Sequence, residues 1–133
     1  MIILKTEPIL LEFENEYKGV MTGPRGQLNI GEGTPSFAPY HLLYGALGSC
    51  FYSNFLNIAK KKRLHFDKVT IHISGEKRDQ EVPTLKTVTM LVTIYGGDKE
   101  EQLRKSVELG AKYCSIHETI GKVAEITIEV VFK

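Results

Sequence analysis

The segment from Ala38 to Lys60 restricts the fold more than any other part of the sequence, because it is typical of one long helix that is apolar on most sides. Pro39 suits the first helical position, where a missing N–H costs nothing, and the lysines at the far end suit a helix C-terminus. The apolar residues cover most of the circumference: Leu42, Leu43, Ala46, Leu47, Phe51, Phe55, Leu56 and Ile58. We therefore predict a central helix over residues 38–61 that the rest of the chain buries.

A row of small residues lies along one side of this predicted helix. Gly45, Ser49 and Ser53 recur at every fourth position. A glycine inside a helix costs about 1 kcal/mol relative to alanine, so Gly45 and Gly48 need a structural reason. Close packing against a second helix would supply one.

Composition and charge exclude several functional classes. The chain has 133 residues with ordinary globular composition, and a formal charge of +1 gives no electrostatic reason to expect nucleic acid or an anionic membrane as a partner. The N-terminal residues resemble no signal peptide, and no segment could span a bilayer, so we expect a cytoplasmic protein. In a reducing compartment its two cysteines are expected to be thiols, metal ligands or a catalytic pair, not a structural disulfide.

Alternating apolar residues predict the strands. A meander over residues 1–35 contains strands at 9–14, 17–22 and 27–30, the last two joined by a tight turn at Pro24. After the central helix, residues 66–133 contain a hairpin (69–75 and 88–95), a helix or broken pair of helices, and a closing strand at 124–132. The predicted order is βββ-α-ββ-α(α)-β. This order predicts one α+β domain over residues 1–133, with antiparallel sheets wrapped around the central helix.

Two capping patterns predict the C-terminal helices. Asp98 with Glu101 is an acidic variant of the capping box, and Ser115 with Glu118 predicts a new short helix that begins at Ser115. Cys114 then lies on the inward stripe of the first of these helices and just before the second begins. Because unpaired N–H groups at a helix N-terminus favour a thiolate, we expect Cys114 to ionise more easily than an ordinary buried thiol.

Cys50 lies at the middle of the central helix. A single cysteine on a buried helix is usually a small apolar residue, but the second cysteine makes a redox pair worth considering. Burial alone raises the pKa of a thiol, so a reactive Cys50 would need a nearby cation or hydrogen-bond donor.

The pattern Pro39-x-x-Leu42-Leu43-x-x-Ala46-Leu47-Gly48-x-Cys50, followed by Ala111-Lys112-Tyr113-Cys114-Ser115-Ile116 and a closing strand, resembles the family of osmotically inducible and organic hydroperoxide resistance proteins. The resemblance extends over essentially the whole chain. It implies an intertwined homodimer in which two central helices pack together. It also implies a thiol peroxidase that needs no cofactor, with an organic hydroperoxide as substrate, a dithiol as reductant, Cys50 as the peroxidatic thiol and Cys114 as the resolving thiol.

The sequence departs from the family at the residues that activate the peroxidatic cysteine. The family supplies an arginine from the meander and a glutamate at the start of the central helix. Here Arg25 is the one arginine before Cys50, and Tyr40 or His41 stands where the glutamate is expected. Arg25, Tyr40 and His41 are therefore candidates for activation or for the substrate pocket. This departure implies a weaker peroxidase or a different substrate.

Two alternatives remain open from the residues alone. The chain could be a homodimeric module that binds a small hydrophobic ligand or senses redox state, with no catalysis. Cys114 and His117, with Cys50 or His41, could instead bind a metal ion, although a structural zinc site needs four ligands.

Overall fold

The computed structural model describes residues 2–133 and contains six strands and three helices. The strands are β1 (Leu10–Phe13), β2 (Lys18–Gly23), β3 (Gly26–Gly31), β4 (Lys68–Lys77), β5 (Leu85–Tyr95) and β6 (Glu125–Phe132). The helices are α1 (Pro39–Lys61), α2 (Glu100–Lys112) and α3 (Ser115–Gly121). This order confirms the α+β fold. The chain divides after Leu43 into two compact units, which are described in turn.

The first unit contains the predicted meander. Strands β1, β2 and β3 pair antiparallel in that order, and a tight turn at Pro24 and Arg25 joins β2 to β3. Every residue of β1 is exposed, including the large apolar side chains of Leu10, Leu11 and Phe13. This unit therefore leaves an apolar strand uncovered. It also contains the first turn of α1, which begins at Pro39 as the sequence predicts.

The second unit contains a mixed sheet in the order β4-β5-β6. Strands β4 and β5 pair antiparallel, but β5 and β6 pair parallel, from Thr87 opposite Glu125 to Ile94 opposite Phe132. The predicted closing strand is therefore present, but it pairs parallel to its neighbour. The reason is its connection, because α2 and α3 return the chain to the end of the sheet where β5 begins.

The core of the second unit forms between α1 and the sheet. One stripe of α1 is fully buried, at Leu47, Phe51, Phe55 and Ala59. The inward residues of β5 are buried equally, at Val88, Met90, Val92 and Ile94. A Cβ added at Gly48 would lie 3.1 Å from Ile73 Cδ1 of β4, so Gly48 allows the helix to approach the sheet, not a second helix as predicted. Gly45, Ser49 and Ser53 are exposed.

The predicted capping box at the start of α2 is wrong. Lys99 is the N-cap residue of α2, and within the described residues no side chain caps this helix. Asp98 is engaged elsewhere, since its Oδ1 accepts a hydrogen bond from the backbone N–H of His65 at 3.2 Å. Its own N–H donates to the His65 carbonyl at 3.2 Å, so Asp98 fastens the start of α2 to the segment that follows α1.

Among the helices of residues 2–133, none has the length and apolar character needed to cross a bilayer.

Candidate functional site

The two cysteines meet where the end of α2 lies against the middle of α1. Both are reduced thiols. Cys50 is half-buried on α1, whereas Cys114, between α2 and α3, has only 1% of its surface exposed. The Cys114 thiol lies close enough to the Cys50 sulfur to act as a hydrogen-bond donor that favours the Cys50 thiolate. The structure therefore brings together the two residues that the resemblance paired.

Close packing between α1 and α2 makes this meeting possible. Gly110, in the last turns of α2, faces the backbone of Phe55, and a Cβ there would lie 3.1 Å from the N, Cα and Cβ atoms of Phe55. One residue earlier on α1, Asn54 Nδ2 donates to the carbonyl oxygen of Tyr113 at 3.3 Å. The residue that follows Tyr113 is Cys114. The two helices therefore contact each other at neighbouring positions, and the thiols lie next to these contacts.

Several hydrogen-bond donors surround the Cys50 sulfur. Burial by itself would raise the pKa of Cys50, but donors favour the thiolate: the Cys114 thiol, the backbone N–H of Ile116, and the hydroxyl and N–H of Ser115. Together they outweigh burial, so the pKa of Cys50 lies below its ordinary value. The donors that a reactive Cys50 needs are thus supplied by the chain around Cys114.

Cys114 itself is harder to ionise, which contradicts the expectation from sequence. Burial, the hydrogen-bond interaction with Cys50 and the charge of the Cys50 thiolate together raise the pKa of Cys114 to about 11. The N–H groups of His117 and Ile116 act in the opposite direction but do not compensate. The donors at the start of α3 do favour a thiolate, as predicted, but the thiol whose pKa is lowered overall is Cys50.

Cys114 also caps α3. Its Sγ accepts a hydrogen bond from the backbone N–H of His117 at 3.3 Å, which makes Cys114, not Ser115, the N-cap residue. The short helix begins at Ser115 as predicted, but a sulfur atom caps it in place of a serine hydroxyl. This leaves the Ser115 hydroxyl to act on Cys50.

The other candidate residues belong to the first unit. Arg25 lies in the β2–β3 turn, where its side chain is 88% exposed and pairs with Glu7 at 3.1 Å. His41 Nδ1 accepts the backbone N–H of Ala38 at 3.0 Å at the start of α1, and Tyr40 beside it is half-buried. Their roles remain predictions.

The metal alternative finds no support in the described part of the chain. Residues 2–133 contain no cluster of three or more His, Cys, Asp or Glu side chains that could hold an ion. His117 is partly buried, and burial lowers its pKa. Its backbone N–H, as the donor to Cys114, is what it contributes to the pair.

Sequence reasoning missed three residues that contribute to the site. Ser115 and Ile116 act on Cys50, and Asn54 acts on the carbonyl before Cys114. For Asn54 a signal existed, because it lies one helical turn beyond Cys50 and so shares its face. For Ser115 and Ile116 none existed, because their contact with Cys50 depends on the tertiary packing of α2 on α1.

Comparison with known proteins identifies the family. Residues 31–129 match the family described as OsmC-like protein. A comparison with curated proteins gives no match.

Several solved structures share the fold. A hypothetical protein from Aquifex aeolicus VF5 is 24% identical, with a TM-score of 0.83 over 98% of this chain and 99% of that one. An OsmC-like protein from Mycoplasma pneumoniae is 16% identical, with a TM-score of 0.86 over 98% of this chain and 99% of that one. An organic hydroperoxide resistance protein from Elizabethkingia anophelis is 15% identical, with a TM-score of 0.77 over 100% of both chains. Since the family match spans residues 31–129 and so most of the sequence, this chain belongs to the OsmC-like protein family, in agreement with the resemblance of its two cysteine segments.

Proposed function

We propose that this protein is a thiol-dependent peroxidase that reduces organic hydroperoxides, with Cys50 as the peroxidatic residue and Cys114 as the resolving residue. The observation that carries the proposal is that Cys114 lies beside Cys50 and acts as a donor that lowers the pKa of the Cys50 thiol. A thiolate is the nucleophilic form of cysteine, and a neighbouring thiol is what converts an oxidised cysteine to a disulfide. The fold shared with the organic hydroperoxide resistance protein from Elizabethkingia anophelis supports the same substrate class.

In the first step the Cys50 thiolate attacks the distal oxygen of the hydroperoxide. The O–O bond breaks, the oxygen bonded to sulfur makes a sulfenic acid, and the alkoxide takes up a proton to leave as an alcohol. Cys50 is oxidised by two electrons and the peroxide is reduced by two. The donors from Cys114, Ser115 and Ile116 favour the thiolate that begins this step.

In the second step the Cys114 sulfur attacks the sulfenic acid of Cys50. A disulfide forms and water leaves. Reduced Cys50 raises the pKa of Cys114 through its hydrogen bond and its charge. A sulfenic acid carries no such charge, so oxidation of Cys50 removes part of what keeps Cys114 protonated. The N–H groups of His117 and Ile116 remain and favour the Cys114 thiolate at the moment it is needed. An external dithiol then reduces the disulfide by thiol–disulfide exchange.

The proposal includes a homodimer in a reducing cytoplasm, where a dithiol reductant is available. The exposed row of Gly45, Ser49 and Ser53 supports a helix-to-helix contact between two copies, because small residues allow close approach. The uncovered apolar residues of β1 support a second contact. Arg25, Tyr40 and His41 are the candidates for contact with the peroxide.

Mass spectrometry tests the proposal directly. Reduced protein treated with one equivalent of cumene hydroperoxide should lose about two mass units as the disulfide forms. Peptide mapping without reductant should place the link between Cys50 and Cys114. Cys50→Ser should consume no peroxide, whereas Cys114→Ser should complete a single turnover and leave a sulfenic acid that dimedone traps.

Two thiols that stay unmodified in the wild-type protein would refute the peroxidase. That result would favour the alternative of a module that binds a small hydrophobic ligand. Equal residual turnover in Cys50→Ser would also contradict the assignment.

A further inference from the structure

Asn54 lies on α1 one turn beyond Cys50, about 6 Å further along the helix axis and on the same side. It is half-buried. Its Nδ2 donates to the carbonyl oxygen of Tyr113 at 3.3 Å. This hydrogen bond joins the helix that carries Cys50 to the residue immediately before Cys114.

The accepting carbonyl belongs to the end of α2. Tyr113 is the C-cap residue of that helix, and its own N–H donates back to the carbonyls of Ala111 and Leu109. Carbonyl groups at a helix C-terminus have no partner within the helix and are satisfied by side chains or water. Asn54 therefore takes a position that water could fill, so the bond matters for geometry more than for satisfying a buried group.

The bond lies between a packing contact and the reactive pair. Along α1 the order is Cys50, Asn54, Phe55, and the groups they contact are Cys114, Tyr113 and Gly110. Packing of Gly110 on Phe55 sets how closely α2 approaches α1. Apolar packing is not directional and leaves freedom to slide or rotate, whereas a hydrogen bond restricts both distance and angle.

We propose that Asn54 is a positioning residue that holds the junction between α2 and α3 in register with Cys50. This inference rests on the proposed function, because the register serves formation of the Cys50–Cys114 disulfide. Without the bond, the end of α2 keeps its packing contact but no longer holds Cys114 against the Cys50 sulfur. A misplacement of about 1 Å in a reacting pair can slow a reaction by about two orders of magnitude.

The test compares three variants in the full chain. Asn54→Ala removes the side chain, and Asn54→Leu removes the donor while keeping a similar volume. Asn57→Ala is the matched control, since Asn57 lies about one turn further along α1 and is exposed. Circular dichroism and melting temperature confirm that each variant is folded.

Two readouts separate positioning from general stability. The first is the rate at which diamide closes the Cys50–Cys114 disulfide, measured by quenched mass spectrometry. Diamide oxidises two thiols to a disulfide and is itself reduced to a hydrazine, so this rate needs no peroxidase activity. The second is the pH profile of Cys50 alkylation by iodoacetamide.

Both Asn54 variants should close the disulfide about tenfold more slowly than the wild-type protein and shift the Cys50 profile to higher pH. Asn57→Ala should match the wild-type protein in both readouts. Wild-type closure rates and profiles in Asn54→Leu would overturn the inference, whether or not Asn54→Ala is slow, because packing and not the donor would then set the register. If the wild-type protein closes with diamide but not with cumene hydroperoxide, the proposed peroxidase fails while this inference is still tested.

Discussion

Replacement of Gly110 by alanine should destabilise the protein, although alanine is the better helix former. In a helix interior the change from glycine to alanine is worth about 1 kcal/mol in favour of folding. Here the new Cβ would lie 3.1 Å from three atoms of Phe55, two of which belong to the backbone of α1. The side chain of Phe55 is itself fully buried. Overpacking of this kind costs about 1–3 kcal/mol, because the helix backbone at Phe55 would have to shift by a few tenths of an ångström to admit the methyl group.

The net effect we expect is a loss of about 1 kcal/mol of unfolding free energy, the overpacking cost less the gain in helix propensity. Urea unfolding followed by circular dichroism would measure it. Gly121→Ala in α3 is the control, since within the described part of the chain nothing beyond its neighbours and the local helix backbone lies within 4 Å of a Cβ there, and it should cause no such loss. A stabilised Gly110→Ala protein would refute the close approach of α2 to α1. The contact between Gly110 and Phe55 packs the end of α2 on α1 close to the two thiols. Gly110→Ala should therefore also slow the closure of the Cys50–Cys114 disulfide by diamide.

Four further predictions concern the ionisation of the two thiols, the exposed face of α1 and a half-buried cation, Arg78. At about pH 8, iodoacetamide should modify Cys50 much faster than Cys114, because hydrogen-bond donors lower the pKa of Cys50 whereas burial raises that of Cys114 to about 11; peptide mapping would show the reverse if the assignment were wrong. Folding raises the pKa of Cys114, so the stability that this thiol contributes is complete below the ordinary value of 9.0 and is lost as the pH rises through about 11. Over that pH interval the urea midpoint of Cys114→Ser should therefore fall less than the midpoint of the wild-type protein. Gly45→Ala should stabilise a monomer by about 1 kcal/mol, because within residues 2–133 nothing outside the adjoining residues and the local helix backbone lies within 4 Å of a Cβ there. The same change should weaken a dimer that packs on this face, and analytical ultracentrifugation separates the two outcomes. Arg78→Ala should cost about 2 kcal/mol in urea unfolding, because the guanidinium donates to the carbonyls of Leu85 and Val123 and so joins the start of β5 to the segment before β6; an unchanged midpoint would contradict this role.

The elements of the fold were predictable because each has a local signal. Period-two alternation identified the strands, and the ends of α1 were marked by Pro39 and by lysines. The pairing direction of β6 was not predictable in this way. Alternation says which face of a strand is buried but not which way the strand runs, and the direction was decided by the return of the chain through α2 and α3.

The cysteine pair was predictable from the family pattern, but the ionisation of its members was not. From the sequence, the N–H groups at the start of α3 were expected to lower the pKa of Cys114, the cysteine nearest to them along the chain. In the structure Cys114 is almost fully buried and donates its own proton toward Cys50, so the distant cysteine receives the larger benefit. The capping box predicted at Asp98 was wrong for a similar reason, because the Asp98 carboxylate accepts a hydrogen bond from the backbone of His65, which is far away in sequence.

The N-cap of α3 shows what a thiol at position 114 requires of the fold. Ser, Thr, Asp and Asn are the preferred N-cap residues, because their oxygen atoms accept strongly from the first N–H groups of a helix. A thiol sulfur is a weak acceptor, and here it receives the His117 N–H at 3.3 Å. Cys114→Ser should therefore strengthen α3 by up to about 1 kcal/mol while it removes the proposed redox partner of Cys50. Under the proposed function, position 114 is a site where folding and chemistry favour different residues, and a cysteine there exchanges local stability for reactivity.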